Sequence, residues 1–440
     1  MTRADSDRRS IGLLRRLGRR LPSRLRHLGQ QIGPGLITGA ADDDPSGLAT
    51  YSQAGAQYGA GLLWTTALTT PLMIGIQMVS ARIGWLTGEG LAKAMCRVMP
   101  RWLAMVLVAA LVMANTLNIA ADIAAMGECL QLVVGGPANG YSIIFALLCI
   151  ILPIRFSYEG MVRLLKWLTL TLLAYVAVVL MLHVNWERVL LQTVIPQLGH
   201  GSGYWLTVVA VLGTTISPYL FFWQAAQEAE SRQRAESAHL VQTPHVTREH
   251  LYRIKLDTSF GMVFSNVIAF CVMLACALTL HQNGITEIET TRQAAEALRP
   301  IAGQFAFLLF ALGVIGTGML AVPVLAGSAA YAVADVLEWR SGLDHDFSEA
   351  KGFYGVLIAA TAGGVLLDFT GIDPIKALFW SAVVNGVIAV PIMVVMMWMG
   401  ARADVLGRWT LTRRHRVLGW LATAAMLAAV LGMLGSALGV

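Results

Sequence analysis

Charge is what this 440-residue chain has least of: Asp, Glu, Lys and Arg make up 13% of it, against a hydrophobic share of 56%. A soluble domain carries about 25% charged residues, so a water-soluble globule is excluded and the bulk of the chain belongs in lipid. The mean hydropathy of +0.63 agrees. Cysteine is also scarce. The five present (Cys96, Cys129, Cys149, Cys271 and Cys276) fall in or beside apolar stretches and form no Cys-x-x-Cys pair. That pattern excludes a disulfide framework or zinc site and leaves small buried hydrophobes. Neither His-Glu-x-x-His, nor Gly-x-Ser-x-Gly, nor a phosphate loop occurs in a suitable context. The chain offers no enzyme chemistry and no resident cofactor to assign.

The charge that is present is unevenly placed. Nine arginines (Arg3, Arg8, Arg9, Arg15, Arg16, Arg19, Arg20, Arg24 and Arg26) lie in the first thirty residues, with leucines among them at helical spacing. No apolar core follows that would make a signal peptide. Residues 1–30 are read as a basic amphipathic segment on anionic lipids. Nucleic acid is the rival partner for such a run, and the apolar spans downstream argue against it.

A helix needs about 20 apolar residues to cross a bilayer. Eleven stretches approach that length: 32–56, 60–81, 102–134, 141–154, 164–183, 204–227, 254–281, 301–336, 353–368, 375–399 and 416–438. The hydrophilic segment from Glu228 to Lys255 reads as a loop between the sixth and seventh. With the N-terminus in the cytosol, 28 of the 32 Lys and Arg residues fall on the inner side, as the positive-inside rule requires. The expectation is a multi-pass protein of a bacterial inner membrane, N-terminus cytosolic and C-terminus external.

Two spans contain helix breakers. Asp44-Pro45-Ser46-Gly47 interrupts the first and Ser217-Pro218-Tyr219 the sixth. Proline lacks the N–H that closes an intrahelical bond, and its ring displaces the carbonyl four residues back. In hydrocarbon such backbone persists only where protein or a polar cavity satisfies it. Broken spans at matching positions in two halves point to a transporter's substrate site. Residues 31–183 and 184–399 are therefore read as two five-helix repeats of opposite orientation, with 400–440 adding an eleventh helix. This is an all-α membrane fold of the LeuT type, its first and sixth helices broken.

Pro45 frees the carbonyl of Ala41, and Pro218 that of Thr214. Packed together, the two halves bring these oxygens and the Asp44 carboxylate to mid-membrane. A charge there costs at least ~2.5–3.5 kcal/mol on insertion scales, and oxygen ligands around one negative charge suit Mg2+, Ca2+ or Mn2+. The bland alternative, an Asp capping its own turn, fits a soluble loop better than a tetrapeptide flanked by membrane-like sequence. Asp42 and Asp43 extend the acid run. On a helix the three fan across about 200°, so at most one can share Asp44's direction; the other reading has both lining a hydrated vestibule.

Gly33-Pro34-Gly35-Leu36 through Asp44-Pro45-Ser46-Gly47, then Ala54-Gly55-Ala56-Gln57-Tyr58-Gly59, resemble the first span of the Nramp divalent-metal transporters, whose signature there is Asp-Pro-Gly-Asn. The likeness continues through Gly88-Glu89-Gly90-Leu91-Ala92, Ala121-Asp122-Ile123-Ala124 and Gly213-Thr214-Thr215-Ile216-Ser217-Pro218-Tyr219. It implies that Asp44 is a metal ligand and that the Thr214 carbonyl is another. Gly47 stands where the family has a ligating Asn, Ser217 where it has Met, and Tyr219 where it has His. Ser217 offers an oxygen ligand instead, and without the soft thioether the site should favour hard ions, a pattern that resembles the Nramp-related magnesium transporters. Of the family's third-span acids only Asp122 remains, a relay member or a packing acid bonded to Asn118. Gln224 replaces a second sixth-span His, and neither it nor Tyr219 titrates near neutral pH, which argues against strict proton symport. Asn385, three residues beyond Ala382 where the family's tenth-span Gln would fall, is a possible accessory ligand.

The expected function is secondary transport of Mg2+ and/or Mn2+ by alternating access, the ion being cargo rather than cofactor. The alternative is a LeuT-fold carrier of an amino acid or other small organic solute. Asp42, Asp43 and Asp44 would repel a substrate carboxylate, which counts against it.

Overall fold

The computed structural model describes residues 38–39, 41–155, 170–199, 201–237, 244–343, 345–371 and 373–438. The basic segment 1–30 and its expected lipid contact lie outside the described residues. Among those described, the regular structure is helical: α1 (Pro45–Tyr58), α2 (Leu63–Thr87), α3 (Arg101–Val134), α4 (Ala138–Arg155), α5 (Leu173–Met181), α6 (Trp186–Val194), α7 (Ser202–Thr215), α8 (Pro218–Ser237), α9 (Pro244–Thr279), α10 (Ala306–Leu337), α11 (Lys351–Asp368), α12 (Pro374–Ala401) and α13 (Arg413–Ala437), with short connecting turns. Eight helical stretches among the described residues are long and apolar enough to cross a membrane; one of them joins α1 to α2, and another joins α7 to α8. Each of the eleven stretches expected from the sequence overlaps at least one of α1 to α13, although α5 and α11 are not among those eight.

Helix starts and stops follow local chemistry. Asp44 caps α1, with Pro45 at its first position, where a missing N–H is harmless. Glycine supplies the positive φ at the ends of α1 (Gly59, +54°) and α2 (Gly88, +69°). The segment from Glu228 to Lys255 departs from expectation. Instead of a loop, α8 runs on to Ser237 and α9 begins at Pro244. Hydropathy marks where a helix leaves the bilayer, not where it stops. Beyond that point, pairs one turn apart carry α8 onward, Arg232 with Glu236 and Arg234 with Glu230. A further pair at 2.9 Å, between fully buried Glu228 and Arg253, ties α8 to α9.

Small residues set the spacing inside the bundle. α3 packs along α10, α11 and α12; α2 along α8 and α9; α7 along α12. Without hydrophobic drive between helices in lipid, such contacts rest on close van der Waals approach. A Cβ on Gly213 of α7 would lie 2.1 Å from the Ala382 carbonyl oxygen and 2.6 Å from the Gly386 nitrogen, both of α12. Gly84 of α2 meets Ala225 of α8 in the same way, at 2.1 Å. The second break is thereby pressed directly onto α12. Gly213→Ala is expected to destabilise the protein by about 1–3 kcal/mol, the usual range for overpacking. A detergent-phase melting curve checks this; an unshifted midpoint would mean that the α7–α12 contact is looser than described.

Candidate functional site

Both proline motifs break their helices, and the breaks lie against each other. Helical backbone at Ala41 and Asp42 gives way to a bend at Asp43 and extended chain at Asp44 before α1 begins. On the other side α7 ends at Thr215, Ile216 and Ser217 are non-helical, and α8 starts at Pro218. Four close approaches join the breaks. The Tyr51 hydroxyl is 3.0 Å from Thr215 Oγ1. The Tyr219 hydroxyl is 3.0 Å from the Ala41 carbonyl and 3.5 Å from Asp44 Oδ2. A Cβ on Gly47 would sit 3.2 Å from Thr214 Oγ1.

The carbonyls that proline frees have hydroxyl partners. Tyr219 donates to Ala41, and the Ser217 hydroxyl is 2.8 Å from the Thr214 carbonyl and 2.7 Å from that of Gly213. Neither carbonyl is therefore bare, but a carbonyl has two lone pairs and one donor leaves the second open. Asp44 is held at both ends of its carboxylate. Oδ1 accepts from the Gly47 N–H at 2.7 Å and the Ser46 hydroxyl at 2.8 Å, and Oδ2 accepts from Asn118 Nδ2 at 3.0 Å. The turn-capping role and the site geometry thus coexist, since Oδ1 serves the cap while Oδ2 faces Asn118 and Tyr219.

The electrostatics are one-sided. Asp42, Asp43, Asp44 and Asp122 are all at most 2% exposed, and no Lys, Arg or His pairs with any of them among the described residues. Asp42 and Asp43 do not line a hydrated vestibule. Both face the Ser265 hydroxyl of α9, at 2.5 and 3.0 Å. Asp122 is not bonded to Asn118 either: its carboxylate faces the Ser46 backbone N–H, and neither oxygen is within hydrogen-bond reach of a partner among the described residues.

Of the remaining expected residues, Asn385 is buried on α12 beside the Gly213–Gly386 contact, with both amide atoms unpartnered among the described residues. Gln224 lies apart from Asp44. It accepts from Gln77 Nε2 at 2.6 Å and donates to Thr258 Oγ1 at 2.8 Å, linking α8 to α2 and α9. Sequence reasoning missed three partners. Asn118, expected as a partner of Asp122, holds Asp44 instead; its position one turn before Asp122 on α3 was the available clue. Ser381 of α12 donates to Asn118 Oδ1 at 2.6 Å, and Ser265 braces the two flanking acids; a serine in an apolar span carries no such signal.

Two cavities approach the site from opposite ends. At the end bearing Lys93 and Arg340, a cavity of about 390 Å³ reaches Ala226 of α8, eight residues past Pro218 or about 12 Å along the helix. At the other end, one of about 250 Å³ between α1, α7 and α12 reaches Ala49, five residues past Asp44 or about 7.5 Å. Neither cavity is lined by Ala41, Asp44 or Thr214, and Asp44 is 1% exposed.

Comparison with known proteins follows the same lines. The chain is 27% identical over 398 residues to the divalent metal cation transporter MntH of Acidiphilium cryptum, an alignment covering 85% of this chain and 83% of that one. The manganese transporter of Eremococcus coleocola, solved with an aromatic bis-isothiourea compound, superposes with a TM-score of 0.72 at 16% identity, over 94% of this chain and 89% of that one. MhsT, solved with L-phenylalanine, gives a TM-score of 0.61 at 14% identity, over 91% of this chain and 98% of that one. The fold is thus of the LeuT type. The family model described as natural resistance-associated macrophage protein-like, Nramp, matches residues 35–436, and the chain belongs to that family.

Proposed function

We propose that this protein carries divalent metal cations, Mg2+ and/or Mn2+, across the membrane, binding them between Asp44 and the freed carbonyls of Ala41 and Thr214. The observation that carries the reading is the setting of Asp44. A carboxylate buried at the junction of two broken helices has only neutral hydrogen-bond donors around it. A cation entering there would supply the missing charge and displace the Tyr219 and Ser217 hydroxyls from the carbonyls of Ala41 and Thr214. Pro45, Ser46, Gly47 and Pro218 shape this cradle. Asp43, Asp122 and Asn385 stand as accessory groups, the last with an uncommitted amide oxygen. The related MntH proteins are divalent metal cation transporters, which supports the same cargo class.

Ion choice follows from position 217. Serine presents oxygen where a thioether would favour softer transition metals, so the reading favours hard ions, including partly hydrated Mg2+. Transport would proceed by alternating access. The present arrangement, with Asp44 buried and outside both cavities, would then be an occluded state. The arginine-rich end would face the cytosol of a bacterium, which puts the N-terminus inside and the C-terminus outside. The polar chain from Gln77 through Gln224 to Thr258 lacks groups that titrate near neutral pH, so uptake would run down the ion's own gradient.

Three outcomes follow. Asp44→Ala should abolish Mg2+ and Mn2+ uptake into proteoliposomes while the melting temperature holds; undiminished uptake would overturn the site. Ser217→Met should tighten Mn2+ or Cd2+ binding relative to Mg2+ by calorimetry, and an unchanged order of affinities would remove the softness argument. A pH dye inside the vesicles should show no acidification in step with uptake; a stoichiometric proton influx would contradict gradient-driven transport.

A further inference from the structure

An apolar groove runs between α11 and α12. Both helices pack along α3 but scarcely touch one another. The gap between them, about 280 Å³, is floored by Leu117, Ala120 and Ala124 of α3 and walled by Leu367, Trp380 and Val384. Trp380 is 55% exposed and neighbouring Leu366 71%, so the rim belongs to the surface that meets lipid. From Lys376 to Val384 the groove follows α12 for about 12 Å, close to the ~15 Å that one leaflet contributes to a hydrocarbon core of about 30 Å. A groove of that length matches most of one leaflet's depth. It also reaches Ser381, whose hydroxyl bonds Asn118, the donor to Asp44.

Two opposite charges stand at the polar end. Lys376 makes no ion pair among the described residues. Asp368 has the Ser142 hydroxyl facing its carboxylate, while its Oδ2 is buried without a hydrogen-bond partner among the described residues. An apolar channel of one leaflet's depth, ending in an unmatched cation and an unmatched carboxylate, has the pattern of a zwitterionic lipid turned inside out.

We propose that this groove binds a phosphatidylethanolamine molecule, with an acyl chain along the alanine floor, the phosphate at Lys376 and the ammonium at Asp368. A primary ammonium can donate hydrogen bonds to Asp368 Oδ2. The quaternary nitrogen of choline has no N–H to give, and an anionic glycerol headgroup would satisfy Lys376 alone and repel Asp368. The bound chain would lie against Ser381, two hydrogen bonds from the Asp44 carboxylate.

The test reconstitutes the full chain in phosphatidylcholine vesicles containing a low mole fraction of chain-brominated phosphatidylethanolamine, phosphatidylcholine or phosphatidylglycerol. The Trp380 signal is isolated as the difference between the unmodified protein and Trp380→Phe. Brominated phosphatidylethanolamine should quench that signal at least threefold more than the other two lipids. The preference should vanish in Asp368→Asn, and Lys376→Gln should weaken quenching by brominated phosphatidylethanolamine at least threefold, with melting temperatures confirming that both variants fold. Equal quenching by all three lipids would reduce the groove to ordinary annular contact and overturn the proposal. Quenching by aqueous iodide, with none by brominated lipid, would show a water-filled cleft and overturn it equally.

Discussion

A peptide carbonyl without a partner costs several kcal/mol in hydrocarbon, and this chain frees two by placing proline four residues beyond Ala41 and beyond Thr214. Almost everything at the centre of the bundle answers that constraint. The breaks pack against each other, so that Tyr219 from one reaches the carbonyl of the other. Ser217 turns back on its own helix to cover Thr214. Gly213 brings the second break within backbone distance of α12. Irregular backbone at mid-membrane is tolerated because protein surrounds it, and the same enclosure concentrates oxygen atoms around one carboxylate.

The acids around the breaks set the second constraint. Four carboxyl groups within the same buried region make no pairing with a basic side chain among the described residues. Neutral donors divide them: Asn118, Ser46 and Gly47 for Asp44, and Ser265 for Asp42 and Asp43. This division separates a cradle open to the second break from a braced pair turned toward α9. In the proposed reading, an oxygen-bearing Ser217 in place of sulfur would tilt such a cradle toward hard cations.

Much of this was legible in the chain. Hydropathy located the spans, because a bilayer-crossing helix needs a long apolar run and little else. Proline located both breaks, because its missing N–H is a local property that no packing can restore. Asp44 was legible for the same reason, standing directly before Pro45. What resisted reading was everything decided by distant contact. Whether Asp42 and Asp43 meet water or Ser265 depends on α9, more than 200 residues away in sequence. Asn118 and Ser381 carry signals indistinguishable from ordinary interhelical hydrogen bonding. The helical ends of the segment around Glu228 and Arg253 were hidden because composition reports solvent, not backbone conformation.

The central claim is that one cation sits where the two breaks meet. An anomalous-difference map from crystals grown with Mn2+ tests it most directly. The account predicts a single peak bounded by the Asp44 carboxylate and the carbonyls of Ala41 and Thr214, with the Tyr219 hydroxyl moved off Ala41. A peak beside Asp42, Asp43 and Ser265, with Asp44 still bonded as it is here, would contradict it.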